Sequence, residues 1–181
     1  MEHEPTSRSG GRSRSTAVSD ALPPFQRFLD GHREVVWRFL VSSVGAAEAE
    51  DCFQETFIAA LRAYPRLRAD SNLRAWVLTI ANRKALDAHR ARTRRAVPVE
   101  DVAAVQDGNT DRGAGSFSQE PDEGLWAAVQ GLPTRQRSAV VLRYVADMPH
   151  REIAAAIGCS EQSARRSLHE GLLKLRKAVP R

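Results

Sequence analysis

From Pro24 onward apolar side chains recur at intervals of three and four residues, and no stretch shows the two-residue alternation of a half-buried strand. Phe25, Phe28 and Leu29, then Val36, Phe39 and Leu40, form stripes of helical spacing. Phe53, Phe57, Ala60, Leu61 and Tyr64 continue the rhythm, and Pro65 ends that helix because its ring lacks the N–H and clashes with the preceding turn. The next helix is expected to be capped by Ser71 and to turn Leu73, Trp76, Val77 and Ile80 inward. The periodicity lapses over residues 96–124. It returns with Leu125, Val129 and Leu132, followed by Val140, Val141, Tyr144 and Val145. The pattern predicts an all-α protein of two small helical domains, 24–95 and 125–179.

The last third has a more specific pattern. Ile153, Ala154 and Ile157 share one helical face, and Gly158 stands where that helix must stop with positive φ. Ser160 is placed to cap a second helix whose inward stripe is Ala164, Leu168, Leu172 and Leu175. Ala154 is small enough for the two helices to cross closely. The spacing predicts a helix-turn-helix, with Ser160, Glu161, Gln162, Ser163, Arg165, Arg166 and His169 left outward to reach bases and phosphates in a major groove. An ordinary helical hairpin with a solvated basic face is the other reading of this segment.

Charge sharpens the division. The chain carries 27 Lys and Arg against 22 Asp and Glu, a net charge of +5, with a sequence pI of about 9.9. That balance suits a nucleic-acid partner without requiring one. Residues 1–23 are rich in Ser, Arg and Gly at their start and are expected to form a disordered tail. Residues 96–124 hold Glu100, Asp101, Asp107, Asp111, Glu120, Asp122 and Glu123 against a single Arg112, which predicts a flexible acidic linker. Cys52 and Cys159 belong to no metal-ligand spacing and read as reduced thiols of a cytoplasmic protein. No apolar run has the length of a membrane span, so no membrane insertion is expected.

Three features of the first domain bear on function. The segment from Arg83 to Arg95 is strongly basic and reads either as a phosphate-tracking helix or as a solvated helix end whose cations suit the helix dipole. Glu48, Glu50, Asp51, Gln54 and Glu55 crowd one stretch; their spacing fits no metal template, and a protein-contact face explains them better than catalysis. Trp76 reads as core first and as a base-stacking group second.

These segments, in this order, resemble the extracytoplasmic-function group of bacterial RNA polymerase sigma factors, within the sigma-70 family. The resemblance spans 24–179. Ala49-Glu-Asp-Cys-Phe-Gln-Glu-Thr-Phe57 resembles the family's AED-x-x-QETF stretch, and Phe39-Leu40 the polymerase-side helix before it. Arg74-Ala-Trp-Val-Leu-Thr-Ile-Ala81 with Leu86-Asp87 and Arg90 resembles its promoter helix. Leu132-Pro-Thr-Arg-Gln-Arg137, Leu142-Arg-Tyr144 and Glu152-Ile-Ala154 resemble the start of its fourth region.

The resemblance implies an alternative sigma factor, a non-catalytic initiation subunit with no cofactor or metal. Asp51, Gln54 and Glu55 would contact the β′ clamp of core RNA polymerase, the β subunit being a further partner. Trp76, Asn82, Arg83, Lys84, Asp87 and Arg90 would meet the −10 element, where a basic groove captures unstacked bases. The helix-turn-helix would enter the −35 major groove, promoter DNA would be melted, and an anti-sigma partner remains open. Arg83 stands where the family usually has Asn, Ser167 where it often has a cation, and Glu170 replaces a common cation. A repressor or activator binding operator DNA alone is the alternative. It has no use for the AED-x-x-QETF stretch, and a nuclease is disfavoured because the sequence offers no clustered Asp/His/Cys site.

Overall fold

The computed structural model describes residues 22–95 and 123–179. Among them are seven α-helices and no strand: α1 (Phe25–Val44), α2 (Ala46–Ala63), α3 (Leu73–Arg95), α4 (Glu123–Gln130), α5 (Thr134–Tyr144), α6 (His150–Ile157) and α7 (Glu161–Ala178). A 3-10 turn, Tyr64–Arg66, closes α2 with Pro65 inside it. The expected tail lies outside the described residues. So does the expected linker, except Glu123 and Gly124, which open α4.

α1, α2 and α3 pack on one another around an aromatic cluster. Phe28 sits at its centre, with ring centroids 5.5 Å from Phe25, 6.3 Å from Phe57, 5.1 Å from Tyr64 and 5.7 Å from Trp76. Burying such rings is the main driving force available to a bundle this small. Gly45, at φ 89°, makes the sharp turn from α1 into α2, a conformation that costs glycine no Cβ clash. The cap of α3 is Asn72, not Ser71: Asn72 Oδ1 accepts from Ala75 N at 3.1 Å. The helix starts at Leu73, one residue later than a Ser71 cap requires.

In the second bundle α5 and α7 pack at Gly171, where an added Cβ would lie 2.9 Å from Val140 Cγ2. Gly158 adopts φ 70° and ψ 47° at the end of α6, and Ser160 Oγ accepts from Ser163 N at 3.2 Å at the start of α7. The helix-turn-helix geometry is therefore set by these two residues. Leu61 and Tyr144, read from spacing as inward, are 53% and 63% exposed, and Leu125 is also exposed. Ala60 and Val141 already fill the neighbouring inward positions, so these side chains are rotated out.

The two bundles share one continuous apolar core, with α3 against α6 and α5, and α1 against α4 and α5. Polar contacts stitch the seam. Asn72 Nδ2 donates to Glu152 Oε1 at 2.8 Å, Arg74 Nη2 to Ala146 O at 2.8 Å, and Asn82 Nδ2 to Ala156 O at 3.1 Å. Arg137 of α5 is buried and donates to Ser43 O of α1 at 2.9 Å and to Leu132 O at 3.0 Å; it also meets Gln130 O and His89 Nε2.

Candidate functional site

α3 divides its polar residues among several faces. Arg83, Asp87, Arg90 and Arg94 are exposed at i, i+4, i+7 and i+11, one stripe along the solvent side. Within it Arg90 Nη1 lies 3.3 Å from Asp87 Oδ1. Lys84 is turned toward α2, with Nζ 2.9 Å from Glu55 Oε2. Trp76 is half-buried in the aromatic cluster beside Phe28 and Tyr64. Asn82 is 0% exposed, held by the backbone of α6. Of the six residues expected at the −10 element, the structure gathers Arg83, Asp87 and Arg90 and separates Trp76, Asn82 and Lys84 from them. Periodicity alone could not place Asn82, because its partner is 74 residues away in sequence.

On α2, Asp51, Gln54 and Glu55 are all exposed, as Phe53 and Phe57 point into the bundle. Ile58 and Leu61 continue that exposed face, at 49% and 53%. The result is an acidic patch flanked by bare aliphatic surface. Sequence reasoning missed these two residues; the signal available was that Ala60 and Tyr64 complete the inward stripe without Leu61. Cys52, beneath this face, is buried, and burial pushes its thiol pKa up, with the carboxylates of Glu48, Glu55 and Asp51 adding to the effect. A raised pKa and burial both reduce the share and the access of the thiolate, the reactive form.

The outward face of α7 is open. Glu161, Gln162, Arg165, Arg166 and His169 are exposed, and Ser163 is half-buried. Ser160 is also exposed, and its hydroxyl is engaged as the helix cap. Arg165 Nη2 binds Glu161 Oε1 at 2.6 Å, and Arg166 Nε binds Glu170 Oε1 at 2.8 Å. The second oxygen of Glu170 accepts from Gln136 Nε2 of α5 at 3.0 Å. Ser167 is buried, so the position at which a cation was missed faces the core, and Arg166 occupies the exposed neighbouring position.

At the seam both ring nitrogens of His89 face a guanidinium, Nε2 that of Arg137 and Nδ1 that of Arg92 at 3.0 Å. Nε2 also lies 3.2 Å from Ser43 O. Burial, then Arg137, lowers the His89 pKa, against an opposing pull from the Ser43 carbonyl. Among the described residues no three His, Cys, Asp or Glu side chains converge to hold a metal ion, and no helix is long and apolar enough to cross a membrane.

Residues 28–95 match the family described as Sigma-70 region 2, and residues 122–175 match Sigma-70, region 4. The chain is 33% identical to the RNA polymerase sigma factor CarQ of Myxococcus xanthus, over 88% of this chain and 91% of that one. It is 32% identical to the ECF RNA polymerase sigma factor SigC of Mycobacterium tuberculosis, over 74% and 71%. Its fold is similar to that of the sigma factor RpoE of Bartonella quintana, solved in complex with the anti-sigma factor NepR. That likeness has a TM-score of 0.68 and 24% identity, over 87% of this chain and 98% of that one.

Proposed function

This chain belongs to the extracytoplasmic-function group of the sigma-70 family, a sigma factor with region 2 and region 4, and from that membership we propose how its surfaces divide the work of initiation. Region 2 binds core RNA polymerase through the α2 face of Asp51, Gln54, Glu55, Ile58 and Leu61 on the β′ clamp. The exposed α3 stripe of Arg83, Asp87 and Arg90 tracks the −10 element, and region 4 lays α7 in the −35 major groove while facing the β subunit. Promoter melting follows from capture of unstacked bases by region 2, and the polymerase supplies all covalent chemistry. Residues 24–95 and 125–179 serve as the two working units, joined by the acidic segment 96–124. The protein acts in the cytoplasm, where core polymerase works.

The observation that carries this reading is the pair of exposed basic helix faces, one in each region, on α3 and α7. In the packed form Asn82 is shielded by α6, so engaging it with DNA requires α6 to leave α3. An anti-sigma factor is proposed as a further partner, tested by co-purification. The main experiment is a pull-down with core polymerase followed by run-off transcription from a genomic promoter library. Binding to core and promoter-dependent transcripts support the proposal. DNA binding without any affinity for core polymerase would instead establish an operator-binding regulator.

A further inference from the structure

We propose that Arg166 is the base-reading residue of region 4, that Arg165 is its phosphate anchor, and that Glu170 braces Arg166 from Gln136. The inference rests on the −35 assignment of α7 and adds to it which side chain carries sequence preference.

The helix itself separates the two arginines. At about 100° per residue, Arg166 lies on the side of α7 directly opposite the buried line of Ala164, Leu168, Gly171 and Leu175. Arg165 stands roughly a quarter-turn from that line, on the flank. The side chain of Arg166 is accordingly 82% exposed and that of Arg165 is 64% exposed. A helix entering a major groove points its outermost line at base edges and its flanks at the backbone walls.

The hydrogen bonds reinforce this division. Glu170 engages Arg166 through Nε, so both terminal Nη groups of Arg166 remain free. Those two groups form the fork that reads guanine O6 and N7. Arg165 instead commits one Nη to Glu161, leaving a less complete fork that suits a single phosphate oxygen. Glu170 is not a loose surface carboxylate, since Gln136 of α5 holds its other oxygen. The bond to Arg166 keeps its carboxyl below the usual carboxylate range, so it is charged at neutral pH. Gln136 Oε1 is buried without a partner, so a turned amide would present an acceptor, in place of its donor, toward position 170. A carboxylate facing DNA repels phosphate, so Glu170 on this face is explained by aiming an arginine rather than by adding affinity.

The test uses the full chain assembled with core polymerase and a promoter-fragment library randomised across the −35 element, selected and sequenced at two salt concentrations. The natural chain is expected to enrich guanine at one position. Arg166→Ala should reduce that preference by roughly 5- to 150-fold. Arg165→Ala should weaken all sequences alike and flatten the salt dependence by about one phosphate contact. Glu170→Ala removes an anion and by charge alone should raise binding uniformly. Loss of preference at that single position instead marks the brace, and Glu170→Gln, able to pair with a turned Gln136, should restore it. Preference lost in Arg165→Ala but kept in Arg166→Ala overturns the assignment, and an unaltered Glu170→Ala profile overturns the brace. A library with no −35 enrichment for the natural chain would remove the −35 reading itself, a separate failure.

Discussion

Gly171 and Glu55 show how much a single side chain decides here. A methyl group at position 171 would meet Val140 Cγ2 at 2.9 Å and the Gln136 carbonyl at 3.4 Å, one of them backbone that cannot swing aside. Alanine gains about 1 kcal/mol of helix propensity over glycine. Overpacking a tight crossing costs about 1–3 kcal/mol, so the clash should win. Gly171→Ala is expected to lower the midpoint of thermal unfolding; an unchanged or higher midpoint would mean α5 yields freely. Glu55 is paired with Lys84, but both ends are accessible to water, and such a pair contributes little to stability. Glu55→Lys should therefore leave helicity by circular dichroism intact while weakening core-polymerase binding at least tenfold. Equal binding would remove α2 as the contact face.

At the level of elements, the helix-turn-helix was fully legible, because its determinants are local. Gly158 needs left-handed backbone and Ser160 needs a donor three residues on; both are met within one turn. Ser160→Ala should cost about 0.5–2 kcal/mol of region 4 stability, read as a lower unfolding midpoint by far-ultraviolet dichroism. Helix existence in region 2 was legible for the same reason, since Val36, Phe39 and Leu40 are all buried as their spacing requires. What escaped was the facing of residues whose partners are distant. Asn82 looked like an outward polar group and is buried by α6; Lys84 looked like a phosphate contact and is tied to Glu55. Periodicity reports which side of a helix is apolar, and says nothing of a second bundle pressed against a polar side.

Across the whole molecule, the seam between the regions contains a histidine whose proton is coupled to packing. His89 is flanked by Arg137 and Arg92, with Glu48 opposing them through its 3.6 Å contact to Arg92. Its pKa is lowered in the packed form, so the packed form disfavours the proton. Packing is therefore at full strength above the ordinary histidine value of about 6.5 and weakens as pH falls below it, toward the lowered value. Fluorescence energy transfer between dyes attached at exposed positions 62 and 174 should report separation as pH is taken from 8 to 5.5. His89→Gln, which carries no titrating proton, should abolish that change; persistence of the change in the variant would assign it elsewhere. The acidic segment between the regions was read from composition, and the packing across the seam was not, because none of its contacts is local in sequence. That seam also leaves Asn82 Oδ1 and the Nε of Arg137 without partners, and a buried unpaired polar atom costs about 1–3 kcal/mol. If a promoter strand engages Asn82, it and region 4 compete for the same amide. The apparent dissociation constant for any strand that uses it is the intrinsic constant divided by the fraction of molecules already open. A partner that only prises the regions apart would then act as an activator of DNA binding without touching DNA.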